Sequence, residues 1–315
     1  MNLLAILAAF TFTITADSHL DERTDWALYE RTLRRAATDK PAFHVDLGDT
    51  FMSEKQPNEQ QYADQRRYFG LLGVPVHLVI GNHDGESGRY LDGTTNNLAM
   101  WSRAMRLRYF PGQERNYYSW THDNALFVVL DPYWFTPKQR RDDDNWVRTL
   151  GKEQYDWLKQ TLETSRAAFK FVFIHQLVGG LDRAGRGGVE VANLFEWGGK
   201  EFREKRPGWA MPIHQLLVTN HVTTVFHGHD HLYAKQDLDG IVYQCVPQPG
   251  DPKGSTRSAA EYGYREGMLL GSPGYMRVNV GDKSALVEFV RPDKSIAHSY
   301  RVRSEEHTSE LQSPY

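Results

Sequence analysis

Five apolar runs rich in β-branched and aromatic residues each stop at a short cluster of metal-binding side chains. The order of those clusters constrains the fold more than any other feature. Residues 10–16 lead to Asp17-Ser18-His19, 43–47 to Gly48-Asp49, and 76–80 to Gly81-Asn82-His83-Asp84. Residues 169–174 lead to His175, and 223–226 to His227-Gly228-His229-Asp230-His231. In α/β folds ligands and metals gather beyond the carboxyl ends of strands. Five strands that deliver Asp, His and Asn to one edge therefore point to an α/β hydrolase that works with two metal ions.

The residue types suit that chemistry. A divalent ion that activates water takes carboxylate oxygen, amide oxygen and imidazole nitrogen, and Mn, Fe, Zn and Co all accept such mixed sets. Two ions about 3.5–4 Å apart grip both the attacking and leaving oxygens of a phosphoester. Such a pair needs one carboxylate shared between them. Taken singly, each cluster has a plainer reading. Asp17 also suits a helix cap, Asp49 and Asn82 suit turns, and a lone His175 after an apolar run suits a satisfied core histidine. His229 and His231, two apart, share one face of an extended segment. The order of all five together is what favours metal.

With these motifs the chain resembles the calcineurin-like metallophosphoesterase family, whose pattern runs D-x-H, G-D, G-N-H-D/E, a lone His, then G-H-x-H. The resemblance spans 10–302 and implies a four-layer α/β/β/α sandwich of two mixed sheets flanked by helices. It implies two divalent metal ions bridged by Asp49, with Asp17, His19 and His231 completing one shell and Asn82, His175 and His229 the other. His83 is then expected to protonate the leaving alkoxide or orient the phosphate, with Asp84 as the carboxylate that fixes its tautomer. The implied reaction is attack of a metal-bridging hydroxide on a phosphomonoester or phosphodiester. The alternative is a non-catalytic scaffold on the same fold, although scaffold members usually lose ligands and here none is lost.

Three departures narrow the resemblance. Met52 stands where many members carry the second Asp of G-D-x-x-D and where purple acid phosphatases carry a tyrosine, so a tyrosinate-bound iron centre is not expected. Gln176 follows His175 in place of a second histidine and is expected to lie outside the ligand shells. The string 227–231 is one residue short of the H-x-H-x-D-H of metallo-β-lactamase-like hydrolases and falls late in the chain.

Composition agrees with a globular enzyme: of 315 residues, 40% are hydrophobic and 24% charged. A net charge of −3 lacks the electrostatic footprint of a nucleic-acid binder, and the resemblance implies a small phosphoester as the partner. Arg31, Arg34 and Arg35 read as a solvated helix face. The one cysteine, Cys245, excludes an internal disulfide and a cysteine zinc cage. Residues 1–15 are apolar but carry no positive residue before the run, and they fall short of the roughly 20 apolar residues that span a bilayer. They read as the lead into the first core strand, with no membrane span; an incomplete start would leave room for an export signal. Compartment and oligomeric state are not encoded in these features. Residues 1–302 are expected to form a single metallophosphoesterase domain. Residues 303–315 resemble the translation of a sequencing adapter and are read as a non-native tail in place of the chain's own end.

Periodicity predicts helices over 25–38, 59–72, 98–109, 152–165 and 213–220, and a buried strand over 125–130. The helix 25–38 is expected to turn Trp26, Leu28, Leu33 and Ala37 inward. From residue 233 the pattern turns to strands, at 233–236, 241–246, 275–280 and 286–291. Two long loops, 85–97 and 177–212, are expected to set the substrate. Arg183 and Arg186 are candidates for a phosphate contact, and Trp197 and Trp209 for covering a base or sugar. For each of these, a solvated loop with aromatics pinned to the core is the competing and favoured reading.

Overall fold

The structure is a computed structural model and describes residues 9–21, 23–87, 98–136, 145–178 and 186–304. Strands β1 (Phe10–Thr15), β2 (Phe43–Asp46) and β3 (Val76–Leu78) alternate with helices α1 (Trp26–Thr38), α2 (Glu59–Gly70) and α3 (Leu98–Tyr109). The middle of the chain forms β4 (Tyr118–His122), β5 (Ala125–Val129), α4 (Gly151–Thr164), β6 (Phe169–Ile174), β7 (Thr224–His227), β8 (Leu232–Leu238) and β9 (Ile241–Cys245). The remaining strands are β10 (Met268–Gly271), β11 (Tyr275–Val280), β12 (Ser284–Val290) and β13 (Ile296–Arg303).

These strands make two mixed sheets, ordered β13-β12-β11-β1-β2-β3 and β10-β8-β9-β7-β6-β5-β4. Strands β1, β2 and β3 run parallel, as do β5, β6, β7 and β9, so each sheet carries a set of carboxyl ends on one edge. Alternation along the strands places a row of phenylalanines between the sheets. Phe12 stacks on Phe43 at 5.3 Å and meets Phe127 and Phe171 edge-on at 5.3 and 5.4 Å, geometries that aromatic quadrupoles favour. The outer face of one sheet is covered by α1, α2 and α3, and that of the other by α4 and the segment 189–222. The result is the four-layer α/β/β/α arrangement.

Local chemistry starts α1 and α2 where the sequence marks them. The Asp25 carboxylate accepts from Leu28 N at 2.9 Å to cap α1, and Asn58 Oδ1 accepts from Gln60 N at 2.9 Å to cap α2. The inward face of α1 differs from expectation. It buries Leu28, Tyr29, Thr32, Leu33 and Ala36, while Ala37 is half-buried and Trp26 is 40% exposed. Three strands lacked a clear signal in the sequence: β4, β10 and β13. Each is the outermost strand of its sheet, and β4 and β13 keep much of their polar surface outward. Strand β13 continues through Arg303, which pairs with Ser284, and Ser304 N donates to Lys283 O at 3.1 Å. Residues 303 and 304, read from the sequence as part of the tail, thus pair with 283–284.

Candidate metal centre

All seven candidate ligands lie just beyond the carboxyl ends of β1, β2, β3, β6 and β7, where the two sheets meet. His19 Nε2 is 3.2 Å from Asp49 Oδ2 and 3.8 Å from Asp17 Oδ1. His231 Nε2 is 3.5 Å from Asp17 Oδ1. On the other side of Asp49, His175 Nε2 is 3.4 Å from Asp49 Oδ2, 3.1 Å from Asn82 Oδ1 and 3.3 Å from His229 Nδ1. Asp17, His19, Asp49 and His231 offer atoms within 4.8 Å of one another, and so do Asp49, His175 and His229. Asp49 belongs to both groups.

Backbone geometry enforces this convergence. Asp17, His19, Asp49, His229 and His231 all have positive φ, between 40° and 73°, a region that costs a non-glycine residue roughly 1–3 kcal/mol and persists where the surroundings dictate it. Glycine lets the loops touch. A Cβ on Gly81 would overlap Asp49 N, and one on Gly228 would stand 2.7 Å from Asp17 Oδ2. That oxygen instead accepts from His229 N at 2.9 Å.

The electrostatics favour a cation. Burial alone would lift Asp17 and Asp49, yet the imidazoles of His19, His231 and His175 hold both carboxyls well below the usual range. Burial would likewise lower His19 and His175, but the acids outweigh it and raise them to about 10 and about 9. His175 Nδ1 lies 2.8 Å from Leu47 O, a carbonyl that can only accept, so Nδ1 carries a proton and Nε2 faces the cluster. Asp17 Oδ1, His19 Nε2 and His229 Nε2 are buried without a hydrogen-bond partner. Buried polar atoms normally find partners; a buried carboxylate oxygen and imidazole nitrogens left without one, in a donor set of this kind, fit divalent cations.

His83 lies at the rim, with Nε2 4.0 Å from Asp49 Oδ2 and its backbone N–H donating to Asp49 Oδ1 at 2.8 Å. The carboxylate expected at its ring, Asp84, is engaged elsewhere. Asp84 Oδ2 accepts from Gly81 N and Asp49 N at 2.6 and 3.1 Å, and Oδ1 accepts from Phe51 N at 2.7 Å. It ties the β2 and β3 loops together, and following His83 directly in a tight turn it points back under the loop. Glu54 takes the expected place, with Oε2 3.0 Å from His83 Nδ1. Sequence reasoning missed Glu54, which lies five residues past Asp49 and belongs to none of the motifs read from the sequence.

Among the loop candidates, the tryptophans follow the favoured reading of aromatics pinned to the core, whereas Arg186 is neither solvated nor free. Arg186 does not extend toward a phosphate: Nε donates to Asp230 Oδ1 and Nη2 to His229 O, both at 2.7 Å, and its guanidinium lies 3.8 Å over the Tyr262 ring. It braces the His229 peptide. Trp197 and Trp209 are core residues on the outer face of the second sheet. Gln176 Oε1 accepts from Tyr133 Oη at 2.7 Å, outside both donor groups. Cys245 is buried and its thiol is pushed well up by burial. Arg183 and residues 88–97 lie outside the described residues.

Comparison with known proteins follows the same lines. The profile of the calcineurin-like phosphoesterase family matches residues 10–233. No curated protein sequence matches significantly. Among solved structures, the purple acid phosphatase PPD1 from yellow lupin (Lupinus luteus) superposes with a TM-score of 0.63 at 14% identity, covering 93% of this chain and 53% of that one. This chain thus spans about half the length of the lupin protein. PhoD gives 0.64 at 14% identity, covering 96% and 72%, and a dimetal phosphatase from Danio rerio gives 0.61 at 14%, covering 94% and 99%. At such identities the likeness is one of fold. Among the described residues no helix is long and apolar enough to cross a membrane. The profile match covers most of the sequence, and with the gathered acids and imidazoles it identifies the chain as a member of the calcineurin-like phosphoesterase family, whose chemistry is metal-dependent phosphoester hydrolysis.

Proposed function

We propose that this protein hydrolyses a phosphomonoester or phosphodiester at a dinuclear centre bridged by Asp49. The observation that carries the reading is the membership of Asp49 in both donor groups. Asp17, His19 and His231 would complete one shell, and Asn82, His175 and His229 the other. Two divalent ions held there would lower the pKa of water and offset charge on the phosphoryl oxygens. The chain's own residues do the rest. Asp17 and Asp49 supply the negative charge that retains cations. The hydrogen bond from His175 Nδ1 to Leu47 O aims its other nitrogen inward. Asp49 Oδ1 accepts from His83 N, which fixes the loop beside the cluster. His83, partly exposed and paired with Glu54, delivers a proton to the leaving oxygen.

The test is metal analysis of the purified protein together with hydrolysis of p-nitrophenyl phosphate and bis(p-nitrophenyl) phosphate, with and without chelator. Turnover that is lost on chelation and restored by Mn, Fe, Zn or Co supports the proposal. Absence of turnover on both esters with every metal would favour the scaffold alternative. An Asp49→Ala protein is expected to lose metal from both positions; full activity in that variant would refute the bridge.

A further inference from the structure

A cleft of about 460 Å³ opens beside the centre, lined among others by Asp21, Arg23, Trp26, Met52 and Lys55. Its walls come from the segments after β1 and β2, two of the five that carry the cluster, and from the helices that follow them. Asp21 Oδ2 is 3.9 Å from His19 Nδ1, and Met52 lies three residues past Asp49. The turn bearing Lys55 is tied to the proton donor, since Glu54 N donates to His83 O at 3.0 Å. The volume falls within the roughly 300–1,000 Å³ of small-molecule sites.

Three features indicate what would fill it. Trp26 is 40% exposed although helical periodicity favours turning it inward, and its ring is backed by Tyr68 at 5.8 Å. One exposed tryptophan is ordinary; one that is braced from behind at the mouth of a cleft offers a stacking platform. The side chains of Arg23 and Lys55 are exposed and have no carboxylate partner among the described residues, whereas Asp21 and Asp64, the acids of the cleft, accept hydrogen bonds from Arg23 N at 2.9 Å and Gln60 Nε2 at 3.1 Å. The first turns of α1 and α2 also line the cleft, and helix N-termini favour negative charge.

We infer that this cleft is the leaving-group subsite, and that the leaving group it takes is itself a nucleotide: a planar ring with a negative charge separate from the phosphoryl group attacked at the centre. The ring stacks on Trp26, and Arg23 and Lys55 meet the charge. The inference rests on the phosphoesterase reading for its meaning, but its test does not require turnover.

Calorimetric titration of the metal-loaded protein with adenosine 5′-phosphate, ribose 5-phosphate and adenosine, in excess inorganic phosphate so that the centre is already occupied, separates the two contacts. Base–aromatic stacking is worth enough to change binding about tenfold. Adenosine 5′-phosphate is expected to bind at least about tenfold more tightly than either fragment. Trp26→Ala should erase its advantage over ribose 5-phosphate, and Trp26→Phe should restore part of it. Combined Arg23→Ala and Lys55→Ala should erase its advantage over adenosine. Equal affinity for all three ligands in the unaltered protein, or a preference that survives Trp26→Ala, overturns the inference. Cleavage of nitrophenyl esters without that preference would retain the enzyme and remove the subsite; the preference without cleavage would do the reverse.

Discussion

His83 and Glu54 grip each other twice: the ring Nδ1 lies 3.0 Å from Glu54 Oε2, and Glu54 N donates to His83 O at 3.0 Å. A carboxylate at Nδ1 fixes the tautomer and stabilises the doubly protonated ring that a proton donor needs. The contact is on the surface side, since Glu54 is exposed and His83 is partly exposed. Glu54→Gln keeps the size and removes the charge. Its kcat is expected to fall about 10–100-fold with metal content unchanged. The loss should be larger for alkyl esters than for p-nitrophenyl esters, because nitrophenolate needs little protonation to leave. A loss independent of leaving group would show that Glu54 merely holds the loop.

Asp84 has the opposite character, a buried acid that accepts three backbone N–H groups. Asp84→Asn sets amide hydrogens against donors, and each unmet buried group costs about 1–3 kcal/mol. The expected outcome is a lower melting temperature together with weaker metal retention, read by calorimetry and metal analysis. A stable variant that loses only kcat would return Asp84 to the direct role that the sequence suggested.

Two residues past Asp84, Glu86 makes a buried ion pair with Arg106, Nε to Oε1 at 2.6 Å and Nη2 to Oε2 at 3.0 Å. Asn116 also donates to Glu86, at 3.0 Å. Arg106→Met would leave the acid buried and unpaired, at a cost of about 3–5 kcal/mol. Adding Glu86→Leu should recover most of that stability. Denaturant unfolding of both variants checks the sign, and an unchanged midpoint for the single variant would contradict it.

His44 gives a pH dependence. Burial, with a smaller contribution from His77, lowers its pKa from 6.5 to about 3, and its nitrogens lie 2.8 and 2.9 Å from the hydroxyls of Thr13 and Thr15. The folded form therefore resists protonation. This group's contribution is fully present above the unfolded pKa of about 6.5 and is lost as pH falls toward about 3. The expected slope approaches ~1.4 kcal/mol per pH unit within that window. Unfolding of the wild type and His44→Gln at pH 7.5, 6 and 5 should show stabilities that converge on acidification. Parallel curves would mean that His44 titrates normally.

The sequence alone was enough to recognise the alternation of strands and helices and the side chains that stand beyond β1, β2, β3, β6 and β7, because apolar period and strand-end chemistry are local properties. Helices α1 and α3 begin and end within a residue of where periodicity places them. Which atoms meet was decided by tertiary structure. Asp84 and Glu54 are both acids close to His83 in space, but only the folded loop shows one turned under toward the β2 backbone and the other up to the ring. Arg186, Trp197 and Trp209 looked alike as loop residues, yet packing sends the arginine to Asp230 and both tryptophans to the core. The outermost strands β4, β10 and β13 depend on neighbours for their pairing, and Trp26 stands 40% exposed against Tyr68 at the cleft. Periodicity tells which residues share a face. Direction, partner and exposure follow from elements distant in sequence, whose approach no local pattern encodes.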